Sequence, residues 1–215
     1  MIDLSFQVTA VEPVTFAAAP LLVFKLGITE ASAERAIHSV VLRCQIQIES
    51  TRRRYSTREQ AELADLFGEP ERWSQTLRNM LWTHASTVAP SFTGSTVVDL
   101  QVPCTFDFNV ASTKYFYGLQ EGEIPLALFF SGTVFFVARD GALQVAQIPW
   151  NKEVRYRLPL KAWKSMMDHY YPNSAWLCLR RDVFERLYQF KVQRGLPTWE
   201  ETFEEIFPQI EEGVY

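Results

Sequence analysis

The chain has 215 residues and a formal net charge of −4 at pH 7. That length suits one domain and buries enough surface to fold without a disulfide or metal staple. With 47% apolar and 21% charged residues, the composition is globular and excludes a disordered or fibrous chain. The acidic balance argues against nucleic acid, whose phosphates need a Lys/Arg surplus.

The first residues, MIDLSFQVTAVEP, carry Asp3 and no basic segment, so no secretory leader is expected. The longest strongly apolar run, Ile124–Phe130, contains Pro125 and falls well short of the ~20 residues of a membrane span. Cys44, Cys104 and Cys178 are widely spaced with no CxxC. Reduced thiols and a cytoplasmic location are therefore expected.

Three runs near the N-terminus alternate apolar and polar residues. The first holds Leu4, Phe6 and Val8. The second holds Leu22, Phe24, Leu26 and Ile28. The third holds Val40, Leu42, Cys44, Ile46 and Ile48. Period-2 alternation predicts strands with one buried face, the habit of antiparallel sheets. Pro13 and Pro20 punctuate the first connection.

Ser56 and Glu59 then form a capping box for a helix ending at Gly68. A second helix is expected from Pro70 to Met80, burying Trp73, Leu77 and Met80. Residues 83–95 read as a loop. Strands return at Val98, Leu100 and Val102, and again at Phe106, Phe108 and Val110, with Pro103 between them. Residues 111–120 fit strand and helix equally. Leu126–Val137 and Leu143–Ile148 flank Ala138-Arg139-Asp140-Gly141, a hairpin signal. Val154, Tyr156 and Leu158 give a last strand, with Arg155 and Arg157 opposite. Helices follow at Leu160–Tyr170, at Val183–Arg194 with Asp182 as cap, and from a Thr198/Glu201 capping box to Phe207.

Together these elements predict an α+β, mainly β chain. Its centre is an antiparallel immunoglobulin-like β-sandwich of about seven strands, drawn from 1–55 and 96–158. A helical insertion occupies 56–82, C-terminal helices occupy 159–208, and 1–215 forms a single domain.

Chemistry is sparse. His38, His84 and His169 show no HxH, HExxH or HxxxH spacing, so no metal site is expected. His84, in LWTHAS, is the most site-like, although a structural histidine fits the same position. Cys104 follows Pro103, and Cys178 precedes Arg180 and Arg181. A nucleophilic thiol needs a base or a positive field, whereas a buried one is simply apolar filling. Asp99, Asp107 and Glu123 would gather only if their strands align. No GxSxG, GxGxxG or GxxxxGK[ST] occurs, and no cofactor is expected.

Arg52, Arg53 and Arg54 form a basic run after the third strand. It suits an anion or an acidic partner, and equally a solvated strand end. Phe129, Phe130, Phe135 and Phe136 load both faces of one strand. The C-terminal helices are expected to cover them, or else a partner protein does. An enzyme, or a small-ligand module, remains the alternative, with a pocket between the sandwich end and the helical insertion. Its candidate residues are His84, Cys104, Lys114, Glu123 and Lys152.

Several strings point to one family: RCQIQIE (43–49), LFGEPERW (66–73), LWTH (81–84), FTGST (92–96), VPCTFDF (102–108), GEIPLALFFSGTVF (122–135), IPWNKE (148–153), YPNSAWL (171–177) and LPTW (196–199). Over nearly its whole length the chain resembles an uncharacterised, mainly actinobacterial family of unknown function. The resemblance implies gene neighbourhoods of nickel–iron hydrogenases and their maturation factors. It therefore implies a non-catalytic accessory role in assembly or scaffolding, with hydrogenase subunits or maturation factors as protein partners. Self-association stays open. The lack of metal-ligand motifs speaks against nickel delivery, and the resemblance assigns no residue a role.

Overall fold

The computed structural model describes residues 2–32, 34–105, 110–138, 140–175 and 177–211, with 208–211 by backbone alone. Two compact units divide the chain, Met1–Ser174 and Ala175–Tyr215.

The first unit holds every described strand: β1 (Leu4–Pro13), β2 (Leu21–Glu30), β3 (Ala36–Ile48), β4 (Met80–Ala89), β5 (Phe92–Thr93), β6 (Ser95–Pro103), β7 (Glu123–Val137), β8 (Leu143–Gln147) and β9 (Glu153–Pro159). They form two antiparallel sheets. One has the order β1-β2-β6, and the other runs β4-β3-β7-β8, with β5 on β3 and β9 on β7. The alternation seen in the sequence decides what faces inward. Phe24, Leu26 and Ile28 of β2, Leu100 and Val102 of β6, and Leu42, Cys44 and Ile46 of β3 join one buried cluster. Rings meet across it, Phe6 on Phe130 at 4.4 Å and Phe24 against Trp82 at 6.2 Å. Each such side chain contributes about 1.5–3 kcal/mol by leaving water.

Short helices follow β3: α1 (Thr57–Glu62), α2 (Ala64–Phe67) and α3 (Trp73–Thr76). The Ser56/Glu59 capping box forms in both directions. The expected Pro70–Met80 helix does not. A 3-10 turn at Pro70–Arg72 and four-residue α3 replace it, and Trp73 is held by its indole N–H on the Gly68 carbonyl at 2.8 Å. Met80 already pairs with Ile48 in β4.

Residues 83–95, expected as a loop, lie mostly in β4, β5 and the start of β6, and the helical insertion gives way to β4 at Met80. A register shift between Ile46 and Gln47 leaves Trp82 and Thr83 both buried. That bulge breaks the alternation by which a strand is recognised. Helix α4 (Val110–Gly118) resolves the ambiguous stretch, burying Tyr115 and Phe116. Val110 is helical rather than strand, and Phe106, Asp107 and Phe108 lie outside the described residues.

Helix α5 (Leu160–Tyr170) buries Leu160, Trp163, Met166 and Met167. Its Tyr170 hydroxyl donates to the Val14 carbonyl at 2.7 Å and accepts from Ala17 N–H at 2.9 Å, which pins the connection between Pro13 and Pro20. In the second unit, α6 (Arg181–Arg194) is capped by Arg180, not Asp182. The Asp182 carboxylate accepts from the Arg180 guanidinium at 3.0 Å instead. Helix α7 (Trp199–Glu211) opens on Thr198, whose hydroxyl accepts from Glu201 N–H at 3.1 Å.

Candidate functional site

The outer face of the larger sheet is laid out by strand register. His84 of β4, Gln45 of β3, Phe129 of β7 and Glu153 of β9 form one row across it. Leu81, Gln47, Ala127 and Arg155 form the row on one side. Beyond Ser86, Arg43 and Ser131 lie Val88, Val41 and Thr133, then Phe135 beside Val145.

Because side chains alternate across a strand, Phe130 and Phe136 turn to the core, while Phe129 and Phe135 turn out and stay half-buried. Around them Val41 is 43%, Val88 59% and Val145 58% exposed. Helix α5 does not supply the expected cover, since it packs on β1, β2, β9 and α4. Arg43, also exposed, places a positive charge within this apolar face.

At the end of the same face a cleft of about 620 Å³ opens beside the Ser50–Arg52 turn. Its lining includes Glu49, Arg52, Pro125, Arg155, Tyr156 and Arg157. Arg155 and Arg157 stand two residues apart on β9, opposite Ala127 and Pro125, so both point outward. Glu49 is 7% exposed. Its Oε1 lies 3.3 Å from Arg52 Nε and 3.6 Å from Arg155 Nε. Arg155 also meets Glu153 at 3.2 Å, and Arg157 meets Glu123 only at 3.9 Å. Burial raises the Tyr156 phenol, and the Glu123 charge adds to the shift.

The middle arginine of the basic run behaves differently. Arg53 is folded inward, its side chain 10% exposed. It donates to Glu59 and to the Glu121 and Glu123 carbonyls, each at 2.6 Å. Glu59 also accepts from Gln120 N–H at 2.9 Å and Ser56 N–H at 2.9 Å. Burial alone would raise its carboxyl, but these donors outweigh burial and hold it below the ordinary value. Nearby the Tyr55 and Tyr115 hydroxyls share a 2.8 Å hydrogen bond, and burial pushes the Tyr55 phenol up to about 12. This cluster ties the helical insertion to the start of β7.

The five polar candidates have separate surroundings. His84 is exposed on β4. Cys104 is buried, its thiol on the Val102 carbonyl at 3.3 Å, and burial pushes it up to about 12. Lys114 pairs with Asp65. Glu123 begins β7 and faces Arg157. Lys152 bonds Asp3 at 2.6 Å. Among the described residues, no hydrogen bond or ion pair joins any two of these five.

Of the acidic group, the described members Asp99 and Glu123 have separate partners. Asp99 pairs with Lys25 on the smaller sheet at 2.8 Å, Glu123 belongs to the larger one, and Asp107 lies outside the described residues. Among the described residues, no three His, Cys, Asp or Glu side chains come together as a metal site would require, and no helix is long and apolar enough to cross a membrane. Glu49 is not singled out in the sequence, nor are Arg155 and Arg157 brought there to the same cleft as Arg52. The signal was two arginines at i and i+2 on a strand, which must share a face.

Fold and surface thus define a β-rich chain of two antiparallel sheets with seven described helices, and a cleft at one sheet end brings Glu49, Arg52, Arg155 and Arg157 together. The chain belongs to DUF6084, a family of unknown function, whose model matches residues 1–214. No curated protein matches it. A crystal structure named for ApaA, from Bordetella pertussis, is similar over 74% of this chain and 95% of that one, at 14% identity and a TM-score of 0.25.

Proposed function

We propose that the chain is a non-catalytic accessory protein that works by protein–protein contact through the outer face of its larger sheet. The observation that carries this is the exposed apolar set Val41, Leu81, Val88 and Val145 around Phe129 and Phe135. Polar residues separate these groups, His84 and Gln45 in one row and Ser86, Arg43 and Ser131 in the next, and such mixed apolar and polar surface is the composition of a non-obligate interface. Arg43 within it, with Arg155 at one end, favours a partner whose apolar patch has an acidic rim.

The strand order β1-β2-β6 against β4-β3-β7-β8 supports reading the sheets as an immunoglobulin-like sandwich, with β4 in the place of an added strand beside the third. Such scaffolds recur in binding proteins, although the fold alone assigns no function. The raised Cys44 and Cys104 thiols and the scattered polar candidates lend no support to a nucleophilic enzyme. The motif resemblance makes nickel–iron hydrogenase subunits or maturation factors the partners to examine first.

A photo-crosslinking residue at Val88 tests the surface in the living host, with the same residue at Ser5 on β1 as control. The reading predicts one discrete adduct from Val88 and none from Ser5. Equal crosslinking from both positions, or none from Val88, would contradict it.

A further inference from the structure

The cleft beside the Ser50–Arg52 turn adjoins that face and shares Arg155 with it, but its other arginines, Arg52 and Arg157, lie outside the apolar set. Its lining brings three arginines together beside Glu49, with Glu153 and Glu123 next to the two arginines of β9. Glu49 sits at its base and touches Arg52 and Arg155 on their Nε edges. A guanidinium has five donors in a fixed fork, so this contact leaves the terminal nitrogens of Arg52 without a partner among the described residues. Arg157 is equally available. Its nearest carboxylate oxygen, on Glu123, is 3.9 Å away, beyond hydrogen-bond reach. Both pairs on the β9 side are solvent-exposed, and exposed pairs of this kind yield readily to a better acceptor.

We propose that this cleft binds the phosphoryl group of a small phosphate ester, with Arg52, Arg155 and Arg157 as donors and Glu49 as the post that orients two of them. A phosphoryl group fits better than a carboxylate. It brings three acceptor oxygens and up to two negative charges, whereas a carboxylate offers two oxygens to three forks. The cleft, at about 620 Å³, falls in the range of small-molecule sites, roughly 300–1,000 Å³. It is far larger than phosphate itself. Pro125 and Leu126, which also line the cleft, offer the remainder of the ester apolar contact.

Calorimetric titration of the full chain with phenyl phosphate, inorganic phosphate and acetate, at one ionic strength, tests this. Phenyl phosphate is expected to bind saturably and more tightly than inorganic phosphate, and acetate not at all. Arg52→Gln and Arg157→Gln should each weaken phenyl phosphate about tenfold, the scale of one charge-assisted contact. Arg58→Gln, on the exposed face of α1, should leave binding unchanged. Equal affinity for the two phosphates would overturn the ester and retain the phosphoryl site. Absence of saturable phosphate binding, acetate binding as tight as phosphate, or loss of binding in Arg58→Gln as well would overturn the site itself.

Discussion

Arg53 and Glu59 show how little a residue's type alone fixes its role. Arg53 lies between two exposed arginines in the same run, yet it holds a buried carboxylate and two carbonyls. Removing one partner of such a pair strands the other, at about 3–5 kcal/mol. Arg53→Met is therefore expected to lower stability by about that amount in urea unfolding. A loss below about 1 kcal/mol, the scale of an exposed pair, would contradict the assignment. Glu59 adds a pH dependence. Its folded carboxyl is held below the ordinary 4.5, so its contribution is present above the unfolded value and is lost as pH falls through the folded one. Unfolding midpoints of Glu59→Gln should accordingly fall less steeply than those of the parent below about pH 4.5. Parallel acid limbs would remove Glu59 from the account. Thiol titration checks burial in the same way. Cys178 is exposed, while Cys44 and Cys104 are buried, so one thiol should react promptly and two only on unfolding.

Among the elements, β3 and β7 each pair with three strands, β7 with β3, β8 and β9. Gly132 makes that possible. At φ 145° a Cβ there would stand 2.1 Å from the Val41 carbonyl oxygen, so the strands approach only because the side chain is missing. Gly132→Ala is expected to cost more than about 2 kcal/mol in thermal or urea unfolding, and a neutral result would contradict the close approach.

Much of this level was legible in advance. Strands β1, β2, β3 and β9 declare themselves because one face is dry and the other wet. Helix α5 follows from its apolar spacing, and α1 from the Ser56/Glu59 reciprocity. Strand β4 did not, because Thr, Ser and Ala fill it and a bulge interrupts its period. The rows on the outer face were half legible. Period 2 loads both faces of β7 with phenylalanine, but which face turns outward and which strands flank it depend on non-local pairing that no local pattern encodes. For the same reason the candidate list His84, Cys104, Lys114, Glu123 and Lys152 was assembled from residue types alone. The Arg-lined cleft was missed although its residues were in view.

For the molecule as a whole, every residue of the buried apolar cluster lies within Met1–Ser174. A chain ending at Ser174 is therefore expected to keep one cooperative unfolding transition, and its loss would contradict a self-contained core. The second unit is built differently. No side chain of α6 is buried, and Phe184, Tyr188 and Trp199 gather their rings on one another. A helix pair of this size is marginal as an independent fold.

The central claim is that the outer face of the larger sheet binds a protein. It is tested most directly by comparing two tagged chains purified from the native host, the parent and Val88→Asp/Val145→Asp. Both positions are exposed, so the double variant should unfold within about 1 kcal/mol of the parent. The account predicts a near-stoichiometric protein with the parent that is absent from the variant. Recovery of the same protein with both chains, or of none with either, would contradict it.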